Sequence, residues 1–250
     1  MNRTTNSFAA CIRMTILWAI ASSLIAPGIL DAATIFSTRA AFESSVGRTI
    51  TDDYEAAAYR TSDIPNTYTD RYVHSNASVS AVFGETRYKS TGFEEYNLIV
   101  IDPGNHFYCA GCNGSYETDF TATSFRSPAG VYGVGFDIPA GGTVEYPIVF
   151  GTYAFVTYGD NTNESIPVPS NERFWGITSG LLIRKIHFGL RGGGVNENYF
   201  VQRMAMDNLT IAGRVPEPTG LMLLLVALAS MPLVQKCVAP RRVRRPPIAP

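Results

Sequence analysis

Tyr116-Glu117-Thr118-Asp119-Phe120-Thr121-Ala122-Thr123-Ser124 settles the fold class. Tyr116, Thr118, Phe120, Ala122 and Ser124 alternate with Glu117, Asp119, Thr121 and Thr123, the period of two that gives a strand one buried face. Lys185 to Leu190 repeats the pattern, with Ile186, Phe188 and Leu190 on one face and Lys185, His187 and Gly189 on the other, so His187 is expected to face solvent. To either side, Val131 to Phe136, Ile148 to Tyr158, Phe174 to Thr178 and Ala205 to Ile211 read as strands, and Leu98 to Ile101 and Val79 to Phe83 complete the set. These runs are rich in Val, Ile, Tyr, Phe and Thr and are cut by Gly, Pro and Asn at short intervals. Ser37 to Gly47 reads as the single helix: Ser37 caps it, Phe42 and Val46 share a face, and Gly47 ends it. The expectation is an all-β domain with one short N-terminal helix and Trp175 in its core.

The two ends of the chain carry a different pattern. Val215-Pro216-Glu217-Pro218 is followed by an uncharged, apolar run from Thr219 to Val234, then by Lys236 and the cluster Arg241, Arg242, Arg244, Arg245. In lipid such a run satisfies its backbone only as a helix, although its 16 residues fall short of the roughly 20 of a comfortable span. The arginines predict a cytoplasmic C-terminus, with everything before Val215 on the far side of the membrane. At the other end, Arg3 and Arg13 precede an apolar segment from Met14 to Ala26, then Pro27, Gly28, Ala32 and Ala33, the layout of a secretory signal peptide. The expected organisation is therefore a signal peptide over 1–33, a globular domain over 34–214 and a C-terminal signal with a transmembrane helix over 215–250. The middle part holds 13 Lys and Arg against 19 Asp and Glu, a balance of −6 where the whole chain reads −1. An acidic exported domain argues against nucleic acid as a partner, because that affinity needs clustered cations.

The tail, with its Val-Pro-Glu-Pro tetrapeptide, short apolar helix and arginine cluster in that order, resembles the PEP-CTERM sorting signal. That resemblance implies export through the Sec translocon, a transient membrane anchor, and cutting near the Pro-Glu-Pro by an exosortase that delivers the domain to the cell surface or extracellular matrix. The helix near Phe42, the strand ending Asp52-Asp53-Tyr54-Glu55, the segment Tyr132-Gly133-Val134-Gly135-Phe136-Asp137, then Phe174-Trp175-Gly176-Ile177-Thr178 and Met206-Asp207-Asn208-Leu209-Thr210-Ile211 are similar to β-sandwich passengers of PEP-CTERM proteins. Those look like jelly rolls of carbohydrate-binding modules. In that group a Glu after the first strand and an Asp in the last help hold a structural Ca2+, and Glu55 and Asp207 are the matching positions. Calcium wants six to eight oxygens, so Asp52, Asp53 and Asn208 are further candidates; the plainer reading has Asp207 capping or salt-bridging a strand end. No other cofactor is implied.

Cys109 and Cys112 are the cysteines expected to survive export, and an oxidising compartment makes a disulfide their default. A ring this small pins a loop and removes little chain entropy. A redox dithiol would want its first Cys at a helix N-terminus, and zinc held by His106, Cys109 and Cys112 would want a fourth ligand that no second motif supplies. No HExxH, GxSxG, P-loop or strand-to-helix GxGxxG occurs. Asp52-Asp53 and Glu94-Glu95 are adjacent pairs whose side chains point to opposite faces of a strand, so neither converges on a sugar bond. The reading is a non-catalytic protein that binds or structures exopolysaccharide, with an extracellular glycan hydrolase or lyase as the alternative. Its Tyr residues, among them Tyr68, Tyr72, Tyr88, Tyr96, Tyr108, Tyr116, Tyr153 and Tyr158, are candidates for sugar stacking or for the core alike.

Overall fold

Twelve strands and two helices follow one another in the computed structural model, which describes residues 33–83, 85–92, 96–102, 104–110, 115–139, 151–169, 173–190 and 205–216. In chain order they are β1 (Thr34–Phe36), α1 (Arg39–Ser45), β2 (Thr49–Asp52), β3 (Arg71–Ser75), α2 (Asn76–Phe83), β4 (Arg87–Ser90), β5 (Tyr96–Asp102), β6 (Asn105–Cys109), β7 (Tyr116–Asp119), β8 (Val131–Asp137), β9 (Thr152–Tyr158), β10 (Asn163–Pro167), β11 (Phe174–Leu190) and β12 (Ala205–Ala212). Every pairing is antiparallel, and the strands curl in the order β10-β9-β11-β8-β12-β6-β5-β3, with β1, β2, β4 and β7 joined off that path. The protein is all-β.

The strand expected over Phe174 to Thr178 and the one expected near Ile186 are a single 17-residue strand, β11. Its first half pairs with β8 and β1, its second with β9 and β7. The register shifts between Ile183 and Lys185, next to Leu182 at φ 61, a conformation a bulky residue adopts only when its surroundings impose it. Two glycines press on that point. The Gly159 N–H donates to both Leu181 O and Leu182 O, and a Cβ on Gly130 (φ +105) would lie 1.9 Å from Ile183 O. β12 closes the structure from the other side: Ala205 and Met206 pair with β6, and Asp207 to Ala212 with β8 and β2.

Trp175 lies in the core as expected, against Phe136 and Phe188. Helix α1 seats Phe42 over three glycines: a Cβ on Gly133, Gly135 or Gly176 would come within 3.1 to 3.3 Å of the Phe42 ring. Gly-Val-Gly in β8 is thus the floor of an aromatic socket, completed by Phe174 with ring centroids 5.8 Å apart. The helix is shorter than Ser37 to Gly47, and its cap is Thr38, whose hydroxyl accepts from the Ala41 N–H. Phe42 and Val46 are both buried, the face expected of them.

Three sequence expectations change. Val79 to Phe83 belongs to helix α2, because Ser75 offers a side-chain oxygen where the helix starts: its Oγ takes the Ser78 N–H at 3.2 Å. Asn76 Oδ1 then accepts from Ser90 N and Asn97 Nδ2, both at 2.8 Å, tying the helix to β4 and β5. The alternation from Tyr116 ends as a strand at Asp119, whose carboxylate takes the Thr121 N–H at 2.8 Å and turns the chain. His187 is buried, at 2% exposure. Its ring stacks on Phe155 and its Nε2 meets Thr91 Oγ1 at 2.8 Å, so the solvent-side face of β11 is covered there.

Candidate functional site

Glu55 and Asp207, far apart in sequence, meet at the first two residues of β6. Glu55 Oε1 accepts from the His106 N–H at 2.6 Å and Oε2 lies 2.5 Å from His106 Nδ1; Arg60 adds a guanidinium at 3.5 Å. Asp207 Oδ2 accepts from Asn105 Nδ2 at 2.9 Å and its Oδ1 from the Asn208 N–H at 2.7 Å. Asp207 pairs in register with Asp137, which Arg39 of α1 neutralises at 3.0 Å while Asn208 donates to it, also at 3.0 Å.

The two carboxyls are pushed in opposite directions. Burial raises Asp207 above the usual carboxylate range; the bonds from Asn105 and Asn208 oppose this, and the charges of Asp137 and Glu55 add to it. Burial also works to raise Glu55, but the two bonds from His106, with the His106 and Arg60 charges, outweigh it and hold Glu55 low.

Calcium would ask for six to eight oxygens. Asp52 turns into the core and Asp53 bonds the Glu55 N–H at 3.1 Å, so neither joins the pair. Among the described residues no three His, Cys, Asp or Glu side chains gather around one point. What they supply is two carboxylates whose charges oppose each other, fewer oxygens than a calcium ion takes.

Asp52 has a role that sequence reasoning missed. Its Oδ2 accepts from Tyr59 Oη at 2.6 Å and Tyr88 Oη at 2.8 Å, and its Oδ1 from the Tyr54 N–H at 3.1 Å, with Tyr54 held at φ 58. Burial raises its carboxyl to about 6 against these bonds, which favour the ionised form. Tyr59 packs against Tyr54, Tyr54 and Tyr88 against Tyr108, and Tyr108 against Tyr116, so these rings are core.

That sorts the tyrosines. Tyr88, Tyr108, Tyr116 and Tyr158 are buried, Tyr72, Tyr96 and Tyr153 are half-buried, and Tyr68 is 58% exposed. Tyr68 sits on a groove of about 360 Å3 lined by Ile64, Pro65, Asn66, Thr67, Val73 and Tyr96. Its position is fixed from both sides: Asn66 Oδ1 accepts the Tyr68 N–H at 2.6 Å, and the Arg71 guanidinium lies 4.6 Å from the ring centroid, itself clamped by Asp70 at 2.8 and 2.6 Å. Tyr68 thus presents an exposed ring beside an amide, a hydroxyl and an ion pair.

At the C-terminal side, Arg214 stacks over Tyr132 and donates to Gly180 O, and the next residue, Val215, is 48% exposed. Pro216 is the last residue described there. Glu217, Pro218, the apolar run, Arg241, Arg242, Arg244 and Arg245, the segment 1–32, Cys112 and Glu94-Glu95 lie outside the described residues. No helix among the described residues is long and apolar enough to cross a membrane. Cys109 is buried at the end of β6. No protein-family model, no curated protein and no solved structure matches this chain.

Proposed function

We propose that this chain is an exported, exosortase-sorted protein of the cell surface or extracellular matrix that binds glycan without catalysing a reaction on it. The observation that carries the binding role is Tyr68, an exposed ring fixed by Asn66 and Arg71 over a mixed apolar and polar groove. Aromatic faces stack on sugar C–H faces, and a pre-fixed ring loses little entropy when it does so. The sorting role is supported by the sequence after Arg214 alone: Val-Pro-Glu-Pro, apolar run, arginines. Val215 leaves the sheet exposed, where a processing enzyme could reach it.

The same reading takes the curled sheet as a jelly-roll sandwich of the carbohydrate-binding-module kind. It includes a disulfide between Cys109 and Cys112 and a structural calcium held in part by Glu55 and Asp207. Calcium there would favour the ionised form of Asp207, which burial first, and the charges of Asp137 and Glu55 after it, disfavour.

The test is a glycan array with the full-length chain in mild detergent, beside Tyr68→Ala. Saturable binding by the parent and its loss by about tenfold or more in the variant is the expected result, one stacked ring accounting for about 1.4 kcal/mol. An empty array, with the fold intact by circular dichroism, would sink the glycan-binding reading.

A further inference from the structure

The chain enters and leaves this domain at one end. Thr34, the first residue of β1, is the register partner of Thr178; Thr178 pairs with Gly133, and Gly133 with Ala212, the last residue of β12. Entry and exit therefore share one rung of the sheet, three strand spacings or about 15 Å apart. That rung lies at a true end of the fold, because β11 doubles back just beyond it: past the bulge beside Leu182, Phe188 returns to pack on Trp175. The exit is also tied down. Gly213 N–H donates to Arg48 O and Gly47 N–H to Gly213 O, both at 2.9 Å, while the Arg214 guanidinium lies over Tyr132 and bonds Gly180 O.

The apolar run begins at Thr219, so only Val215 to Pro218 separate it from Arg214. A stretch of that length spans at most about 14 Å, little more than the Debye length of about 8 Å at physiological salt. A membrane that holds Thr219 to Val234 therefore feels the charges at this end of the domain far more than those elsewhere.

Arg48, Arg126 and Arg214 are exposed there. Arg48 lies 5.4 Å from the Phe125 ring centroid and donates to Ser124 Oγ, and Phe125 abuts Gly213, so the β7–β8 loop, with Arg126 at φ 57, stands beside the exit. The carboxylates of this region are engaged by the protein. Glu85 accepts the Ser124 N–H at 2.7 Å, Asp119 lies 3.4 Å from Lys185, and Asp160 on the β9–β10 turn accepts the Thr162 N–H at 2.9 Å. Of these three only Asp160 is exposed, and none forms an ion pair with Arg48 or Arg126. Exposed Pro128 and half-buried Leu181 and Leu182 lie among the arginines, apolar tips suited to a lipid interface.

We infer that this end of the domain docks on the anionic headgroups of the membrane that holds the apolar run, with Arg48 and Arg126 on lipid phosphates, so that the precursor stands on the bilayer in one orientation. This rests on the reading of Thr219 to Val234 as a membrane helix and adds to it a docking surface. An acidic domain can dock in this way because the short tether keeps its arginine-bearing end within screening range, while most of its carboxylates lie farther off.

The test uses the full-length chain reconstituted into vesicles of phosphatidylcholine alone or mixed with phosphatidylglycerol. Arginines are labelled with hydroxyphenylglyoxal and the rate at each is read by peptide mass spectrometry. Arg60, exposed and paired with Glu55 away from this end, is the internal reference. Arg48 and Arg126 are expected to label about tenfold more slowly on the anionic vesicles, recovering in high salt, with Arg60 unchanged. In Arg48→Gln with Arg126→Gln, Arg214 should label equally on both vesicles; both replaced side chains are exposed, and circular dichroism checks the fold. Equal rates at Arg48 and Arg126 on the two vesicles, or equal slowing of Arg60, would overturn the docking inference and leave the membrane anchor standing. A chain that floats with neither vesicle would overturn the anchor and the docking together.

Discussion

Asp52 is the residue whose environment differs most from what its neighbours in sequence suggest. The pair Asp52-Asp53 reads as two side chains on opposite faces if the chain is extended; β2 ends at Asp52, which is buried, and Asp53 just beyond it is exposed. Which of the two turns inward is not legible, because the hydroxyls that receive it belong to Tyr59 and Tyr88, 7 and 36 residues away. His187 fails for a similar reason, since alternation names its face of the strand but not the Phe155 and Thr91 that cover that face. Asp52 has a pH signature. Its folded value, about 6, lies above the ordinary 3.8, so the folded state prefers the protonated form. Its contribution to stability is complete below pH 3.8 and is lost as pH rises through 6. Roughly two pKa units correspond to about 3 kcal/mol. Asp52→Asn cannot ionise, so denaturant melts of parent and variant between pH 4 and pH 7 should show the parent losing about that much relative to the variant. A constant difference across that range would mean that Asp52 does not titrate as its burial implies.

Among the elements, strands of clear period are legible and their continuity is not. Val131–Asp137, Thr152–Tyr158 and Ala205–Ala212 fall where the sequence predicts strands. β11 reads as two strands because Ser179-Gly180 looks like punctuation, whereas pairing with four different neighbours holds it in one piece. Helix α2 reads as a strand because Val79 to Phe83 is a short apolar run broken only by Ser80, and the cap that decides the matter comes from Ser75, outside that run. The bulge in β11 predicts a contrast between two glycines of the same backbone hand. Gly104, at φ +92, has nothing within 4 Å of where a Cβ would be, while Gly130, at φ +105, would drive a Cβ into the backbone of Ile183 and Arg184. Gly104→Ala should cost only its left-handed strain, about 1–2 kcal/mol. Gly130→Ala should cost more than about 3 kcal/mol, since the backbone it meets cannot rotate away. Equal midpoints in a urea melt would mean that the β11 bulge yields, and that Gly130 is not what fixes it.

For the molecule as a whole, the resemblance names Glu55 and Asp207 as calcium ligands; in the structure each bonds one of the first two residues of β6, and no third such side chain gathers with them among the described residues. Asn105 and His106, which hold them there, are not legible, because β6 itself has no clear alternation. If calcium completes this site, saturation at a hundredfold over its Kd should stabilise the fold by about 2.7 kcal/mol, visible as a rise in Tm that chelator reverses. Asp207→Asn should abolish the rise, and a Tm indifferent to calcium would remove the metal from the proposal. The closure of the sheet has a consequence for timing. β1 lies against β11 and β2 against β12, so the earliest segments of the domain find their partners among the last to be made. During synthesis the β5–β6 and β9–β10 hairpins can form as they emerge, but β2 must wait for Leu209 to Ala212. Until that last strand arrives the chain is threadable and its sheet edges are bare; once it arrives, folding can run to completion in one cooperative step.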